Sequence, residues 1–347
     1  MAFRFLQSIF TSAPIQPGKF DKDLMLRAIE RLVDGTDPRL RAVSHYRRQL
    51  WNAVDHAIDF VVTFVNTLPP AITADRQGYM TDPRLRALFA SPEHLREILS
   101  FSDGMRNYLK QAPDPLPTEL YAGFGAVRAE KNTLGIEMDG DILRRDVPQT
   151  VVNFCNHRLV CLTDNEQDTR RELMRRGFDH LVETALQRLM DSRVQKTQLE
   201  QQQRQLLQQK ASLLKKAQLG LEALTEPTDS ELPDFDAIEQ QLQRLETELG
   251  QLRTDSATLD KHLAKIAATL SEPEKYLQLE AVPLTLDHTN TKVSPGSPRV
   301  ANSMIFEEIV MGKDRRITAL FVRFSSSELL PQPDFFKEAN RLLYASR

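Results

Sequence analysis

FDAIEQQLQRLETELGQLRTDSATLDKHLAKIAATL, residues 235–270, is the stretch on which the organisation of this chain turns. Phe235, Ile238, Leu242, Leu245, Leu249, Leu252, Ser256, Leu259, Leu263, Ile266 and Leu270 recur at alternating steps of three and four, and ten of these eleven positions are apolar. A surface helix with a 3.6-residue period drifts out of that register over five heptads. The pattern therefore predicts a coiled coil, at about 1.5 Å per residue roughly 54 Å long.

The expected partner lies upstream in the same chain. Thr163-x-x-Glu166 reads as a capping box, and a helix can run from it to about Leu224, with Leu199, Leu206 and Leu213 at seven-residue steps and a second set at Leu207, Leu214 and Leu221. Its seam is poorer, because Lys196, Gln203 and Lys210 stand where apolar knobs belong. Residues 225–233 (TEPTDSELP) break both helices and let the chain reverse. From Arg188 to Lys216 there are seven basic and two acidic residues, and from Asp234 to Glu272 four basic and eight acidic. An antiparallel hairpin sets these opposite charges against each other. Two helices folded flat into a bundle, or pairing between subunits, are the alternatives left open.

Strand-like sequence flanks this hairpin on both sides. Leu134–Met138 and Asp141–Arg145 around Asp139-Gly140 read as a β-hairpin, since Asp-Gly supplies the positive φ angles of a type I′ turn. Val151–Cys155 and Arg158–Leu162 come next as two strands or one bent one. After the arm come Tyr276–Val282, Leu284–Leu286 and a hairpin over Ser303–Met311 and Arg316–Phe324, then an amphipathic helix over Asp334–Tyr344. Upstream, Phe20 to Gln111 reads as helical, including one long helix from Thr36-Asp37-Pro38 to about Asn66. Thr36-Asp-Pro-Arg-Leu-Arg-Ala42 recurs as Thr81-Asp-Pro-Arg-Leu-Arg-Ala87, but the residues after the two copies differ, so a shared helix-start device is the reading rather than a true repeat.

The expected fold class is therefore α+β and multidomain. It comprises a tail (1–19) holding a possible amphipathic helix, a helical domain (20–112), a β-rich domain split into 113–163 and 274–330, an inserted antiparallel coiled-coil arm (164–273) and a C-terminal helix (331–347). Deleting Arg188–Leu270 is expected to leave the globular body folded.

Composition narrows the function classes. Forty-five Lys+Arg against 48 Asp+Glu leave a net charge of −3, which removes the broad positive footprint of sequence-independent nucleic-acid binding. Thirteen glycines in 347 residues give little material for phosphate-cradling loops. Two cysteines form no disulfide framework, and without a secretion signal or an apolar run near 20 residues a cytoplasmic setting is expected. The nucleotide-loop, zinc-protease and hydrolase signatures are absent. In Cys155-Asn-His157-Arg-Leu-Val-Cys161 the odd positions share a strand face, but the ends stand about 20 Å apart, beyond one metal ion's reach, so the cysteines are read as buried structural thiols. Arg39, Arg41, Arg47 and Arg48 form one basic patch and Lys313, Arg315 and Arg316 another, each suited to an acidic partner or a phosphate.

The sequence thus points to a non-enzymatic interaction or scaffold protein with a coiled-coil arm, and to no cofactor or metal. Its partners are expected to be proteins, including self-association. A peripheral membrane protein anchored by residues 1–12, and an enzyme whose site leaves no motif, are the competing classes.

Overall fold

The computed structural model describes residues 20–113, 115–139, 142–218, 235–256, 259–294, 297, 299–312 and 315–331. The expected tail helix, the C-terminal helix and the turn of the arm lie outside the described residues. The fold combines helices with a mainly antiparallel sheet, in two compact units. One comprises Met1–Asp59 with Asp179–Pro273, the other Phe60–Phe178 with Glu274–Arg347. Two of these divisions fall inside helices, where composition carries no punctuation.

In the first unit, α1 (Lys22–Gly35) buries Met25, Ala28, Ile29, Leu32 and Val33, the i, i+3, i+4, i+7 stripe of an amphipathic helix. Arg31 on this helix makes a two-pronged contact with Asp179, at 2.5 and 2.6 Å. The long helix expected from Thr36 is not continuous. A 3-10 segment spans Pro38–Ala42, His45 adopts φ +58°, and only then does α2 (Tyr46–Thr67) begin. The apolar ladder hinted at this, since it skips from Val43 to Leu50.

The second unit also contains β1 (Ile72–Thr73) and the short helices α3 (Arg76–Thr81), α4 (Pro83–Leu88), α5 (Pro92–Phe101) and α6 (Asp103–Leu109). The hairpin expected around Asp139-Gly140 grows into two long strands, β2 (Glu119–Asp139) and β3 (Ile142–Thr163), paired from Tyr121↔Thr163 to Asp139↔Ile142. Beyond α7 (Glu166–Gln218), α8 (Phe235–Ser256) and α9 (Leu259–Leu270), the chain returns as β4 (Leu277–Leu286), β5 (Asn302–Met311) and β6 (Arg315–Ser325). The strand order is β3-β2-β6-β5-β4, with β1 parallel to the end of β6.

Three register shifts interrupt the β2/β3 ladder, each with one extra residue in β3, and β3 holds Asp146, Asn156 and Cys161 at positive φ. Such bulges reverse the facing of everything beyond them. Before Asn156 the buried residues are Val152 and Phe154; after it they are Leu159 and Cys161. This corrects the reading that Cys155, His157 and Cys161 share a face. Cys155 is exposed, whereas Cys161 is buried and its thiol is pushed up to about 12 by burial.

The two outer strands are joined through one short segment. Thr291 bridges Val151 on β3, Lys292 bridges Leu286 on β4, and the Val152 N–H donates to the Asn290 carbonyl at 2.8 Å. The sheet curls so far that the rings of Phe154 (β3) and Phe306 (β5) lie 5.0 Å apart, although β2 and β6 intervene. In a flat sheet three strand spacings would separate them by about 14 Å. Inside the curl sit Leu120, Phe124, Leu284, Phe306 and Phe324, closed by Leu85, Phe89, Leu95, Leu99 and Met105 of the short helices. Gly104 permits this closure: a Cβ there would stand 2.0 Å from the Leu159 carbonyl oxygen of β3.

The end of α2 is held from the start of α7. Arg170 donates to the carbonyls of Val65 (2.8 Å), Leu68 (3.1 and 3.2 Å) and Pro69 (3.0 Å), and to Glu166 at 2.9 Å. Its guanidinium also lies 4.4 Å from the Phe321 ring centre. One cation thus satisfies carbonyls that a helix C-terminus leaves orphaned, at the negative end of the helix dipole. The capping box assigned to Thr163 is corrected by two residues. Asn165 Oδ1 accepts from the Asp168 N–H at 2.8 Å, while Thr163 donates to the Asn165 carbonyl.

Candidate functional site

The residues singled out by the heptad pattern lie in the first unit, where α7 meets α8 and α9. Arg188 donates to Thr269 at 3.0 Å, Lys265 to Ser192, and Lys210 to Glu239 at 2.9 Å. As numbers rise along α7 they fall along the facing helices. Ile238, Leu242, Leu249, Leu263, Ile266 and Leu270 are buried, whereas Leu245, Leu259, Leu199 and Leu206 are partly exposed. The side chains of Leu213 and Leu252 lie outside the described residues. Ser256, the one non-apolar seam position, is the last residue of α8, and α9 starts at Leu259. A cleft between the helices is lined by Gln202, Gln205, Leu206, Gln209, Gln241, Arg244 and Leu245.

The base of the helix pair is bound into its unit. His262 on α9 places Nδ1 3.4 Å from Asp37 Oδ2, and both side chains are largely buried. Asp37 caps the Arg39 N–H and takes the Arg39 guanidinium at 2.9 and 2.8 Å. The Arg39 hydrogen bonds hold its carboxyl down at about 2. The second copy of the heptapeptide builds the same device: Asp82 caps the Arg84 N–H and receives its guanidinium at 3.1 and 2.7 Å. Leu40 and Leu85, the equivalent positions, are both fully buried.

The basic patches are largely consumed within the chain. Arg41 bonds Glu30 and Asp34 at 3.0 and 2.6 Å, and Arg47 and the Tyr46 hydroxyl reach the same Glu30 at 2.9 and 2.7 Å. Burial works against the Glu30 charge, yet the Tyr46, Arg41 and Arg47 bonds hold it below the usual carboxylate range. Arg48 and Arg315 are exposed, and Lys313 lies outside the described residues. Arg316 belongs to an alternating chain of charges: Glu280, Arg316, Glu308, Arg128, Glu130, Lys292. Glu308 is 1% exposed, and Arg128 grips it at 2.5 and 3.2 Å. The Thr318 hydroxyl beside it has no hydrogen-bond partner among the described residues. None of this was visible in the sequence, because the six residues come from four strands and a loop, and strand pairing alone brings them together.

A second cluster missed by the sequence reading joins His94 and His157 to Phe89 and Phe124, with ring centres 5.2 to 5.9 Å apart. The bulge at Asn156 turns His157 inward, and spacing alone does not announce a bulge. Among the described residues no three His, Cys, Asp or Glu side chains are grouped to hold a metal ion, and no helix is long and apolar enough to cross a membrane. No known family model, curated protein or solved structure matches this chain.

Proposed function

We propose that the chain is a non-enzymatic interaction or assembly protein whose recognition element is an antiparallel coiled-coil hairpin formed by α7 with α8 and α9. The observation that carries the reading is the reversed order of the cross-helix bonds, 188 to 269, 192 to 265 and 210 to 239, beside a seam buried at Ile238, Leu242 and Leu249. A pair closed within one chain spends its apolar seam on itself and offers a partner its polar outer faces and its turn. The base is structural, since α9 packs with the 38–42 segment. The separable part is therefore shorter than Arg188–Leu270, and the residues beyond the Ser192–Lys265 contact, 200–257, are the ones that serve recognition.

The test compares affinity capture from the native host by three chains: the full chain, one with 200–257 replaced by a short Gly/Ser linker, and one with only 222–236 replaced. The expected result is a binding partner retained by the full chain and lost with 200–257, while circular dichroism shows the remainder folded. Retention of the same partners by the shortened chain overturns the reading.

A further inference from the structure

In the second unit, His157 lies stacked on Phe89 (5.3 Å, 23°) and Phe124 (5.7 Å, 29°) and edge-on to His94 at 5.4 Å. Its Nε2 is 2.9 Å from the Leu88 carbonyl oxygen. A carbonyl only accepts, so in the neutral ring Nε2 carries the proton and Nδ1 is the base. His94 Nδ1 accepts from the Ala90 N–H at 3.2 Å, which requires that nitrogen to be bare. A second proton on either ring thus has a defined consequence. On His94 it removes Ala90's acceptor; on His157 it sets a charge between two phenyl rings and another imidazole.

The same corner anchors the closure of the sheet. The Ala87 carbonyl accepts from Asn290 Nδ2 at 2.8 Å, and Asn290 in turn accepts from the Val152 N–H on β3. We propose that the His94–His157 pair is an acid-sensitive latch whose protonation releases the Leu88–Ser91 corner and, through Ala87 and Asn290, the segment joining β3 to β4.

Among the groups on the packed elements, His94 is the ionisable ring in contact with His157. On α4, Arg84 is held by Asp82 and Arg86 by the Met80 carbonyl. On α5, Arg96 pairs with Glu328, and Glu93 and Glu97 are exposed. Asp103 and Arg106 on α6 and Arg158 on β3 are exposed. Tyr108, half-buried on α6, is pushed up by burial and stays neutral. Burial pulls His157 below the ordinary histidine value of 6.5, the Leu88 bond opposes this, and His94 adds to it. The folded-state value being the lower one, the latch is fully closed above 6.5 and loses its hold as pH falls below that.

The experiment is hydrogen exchange on the full chain between about pH 7.5 and pH 5, corrected for intrinsic exchange, with α1 as internal reference. Protection at 86–94 and 290–293 is expected to be lost progressively relative to α1 as the pH falls below 6.5. In the double variant His94→Gln, His157→Gln that dependence should vanish. Should that variant fail to fold, an imidazole NMR titration of the natural protein decides, with His157 expected to titrate below 6.5. Protection independent of pH, an undiminished dependence in the folded double variant, or a His157 titration at or above 6.5 overturns the proposal.

Discussion

Replacing Arg170 by alanine removes one side chain that reaches three carbonyls at the end of α2, a carboxylate and an aromatic face. The Arg170 side chain is 16% exposed, so water replaces little of what is lost. A hydrogen bond from a charged donor contributes about 1.5–3 kcal/mol, but bonds sharing one group are not additive. Leaving partly buried carbonyls and the Glu166 carboxylate without their cation resembles breaking a buried ion pair, which costs about 3–5 kcal/mol. We expect Arg170→Ala to destabilise the second unit by about 3–4 kcal/mol. Arg170→Lys should retain the charge yet still lose about 1–2 kcal/mol, because an ammonium has no planar fork to span Val65, Leu68 and Pro69. Two units make a single unfolding transition unsafe to assume. The assay is therefore hydrogen exchange at the end of α2 and the first turns of α7, supported by denaturant unfolding. An Arg170→Ala protein within about 0.5 kcal/mol of the parent, or one whose lost protection lies outside these segments, would refute the reasoning.

Other substitutions probe separate links. Asp37 has a folded-state value near 2 against an ordinary 3.8, so it adds on the order of 2 kcal/mol above 3.8, which is lost as pH falls from there towards 2. Acid unfolding of an Asp37→Asn variant should lack that component, and an unchanged acid limb would sink the assignment. Gly104→Ala should cost about 2 kcal/mol or more by pushing α6 off the β3 carbonyl, measured as a drop in melting temperature. A neutral effect would mean that this approach is not tight. Ile266→Ala, at a fully buried seam position, should cost about 2–5 kcal/mol, against about 1 for the partly exposed Leu245→Ala. Equal costs would remove the distinction between the base and the outer part of the helix pair.

Local periodicity was legible because helices and heptads repeat within a few residues. Both Asp-Pro-Arg-Leu-Arg helix starts were readable that way, as was the pairing of the strands that flank Asp139-Gly140. What stayed hidden depended on backbone conformations without a residue signature, or on partners far apart in sequence. His45, Asp146, Asn156 and Cys161 adopt positive φ without being glycine, and each breaks or re-phases a pattern that looked regular. Arg170 reads as one more charge on a helix until the end of α2, about a hundred residues earlier, is placed beside it. Arg39, Arg41 and Arg47 looked available for a partner because Glu30, the carboxylate that gathers two of them, lies on another helix.

The most direct test of the account asks whether the α7 and α8 helices pair within one chain. Gln209 and Gln241 line the same cleft, and Cys155 is the exposed native cysteine. Cysteines placed at both glutamine positions in a Cys155→Ser background should form a disulfide under mild oxidation at sub-micromolar protein, within a species that stays monomeric under denaturing conditions. Cross-linked dimers in place of that species, or no disulfide at all, would contradict a hairpin closed on itself and with it the proposed arm.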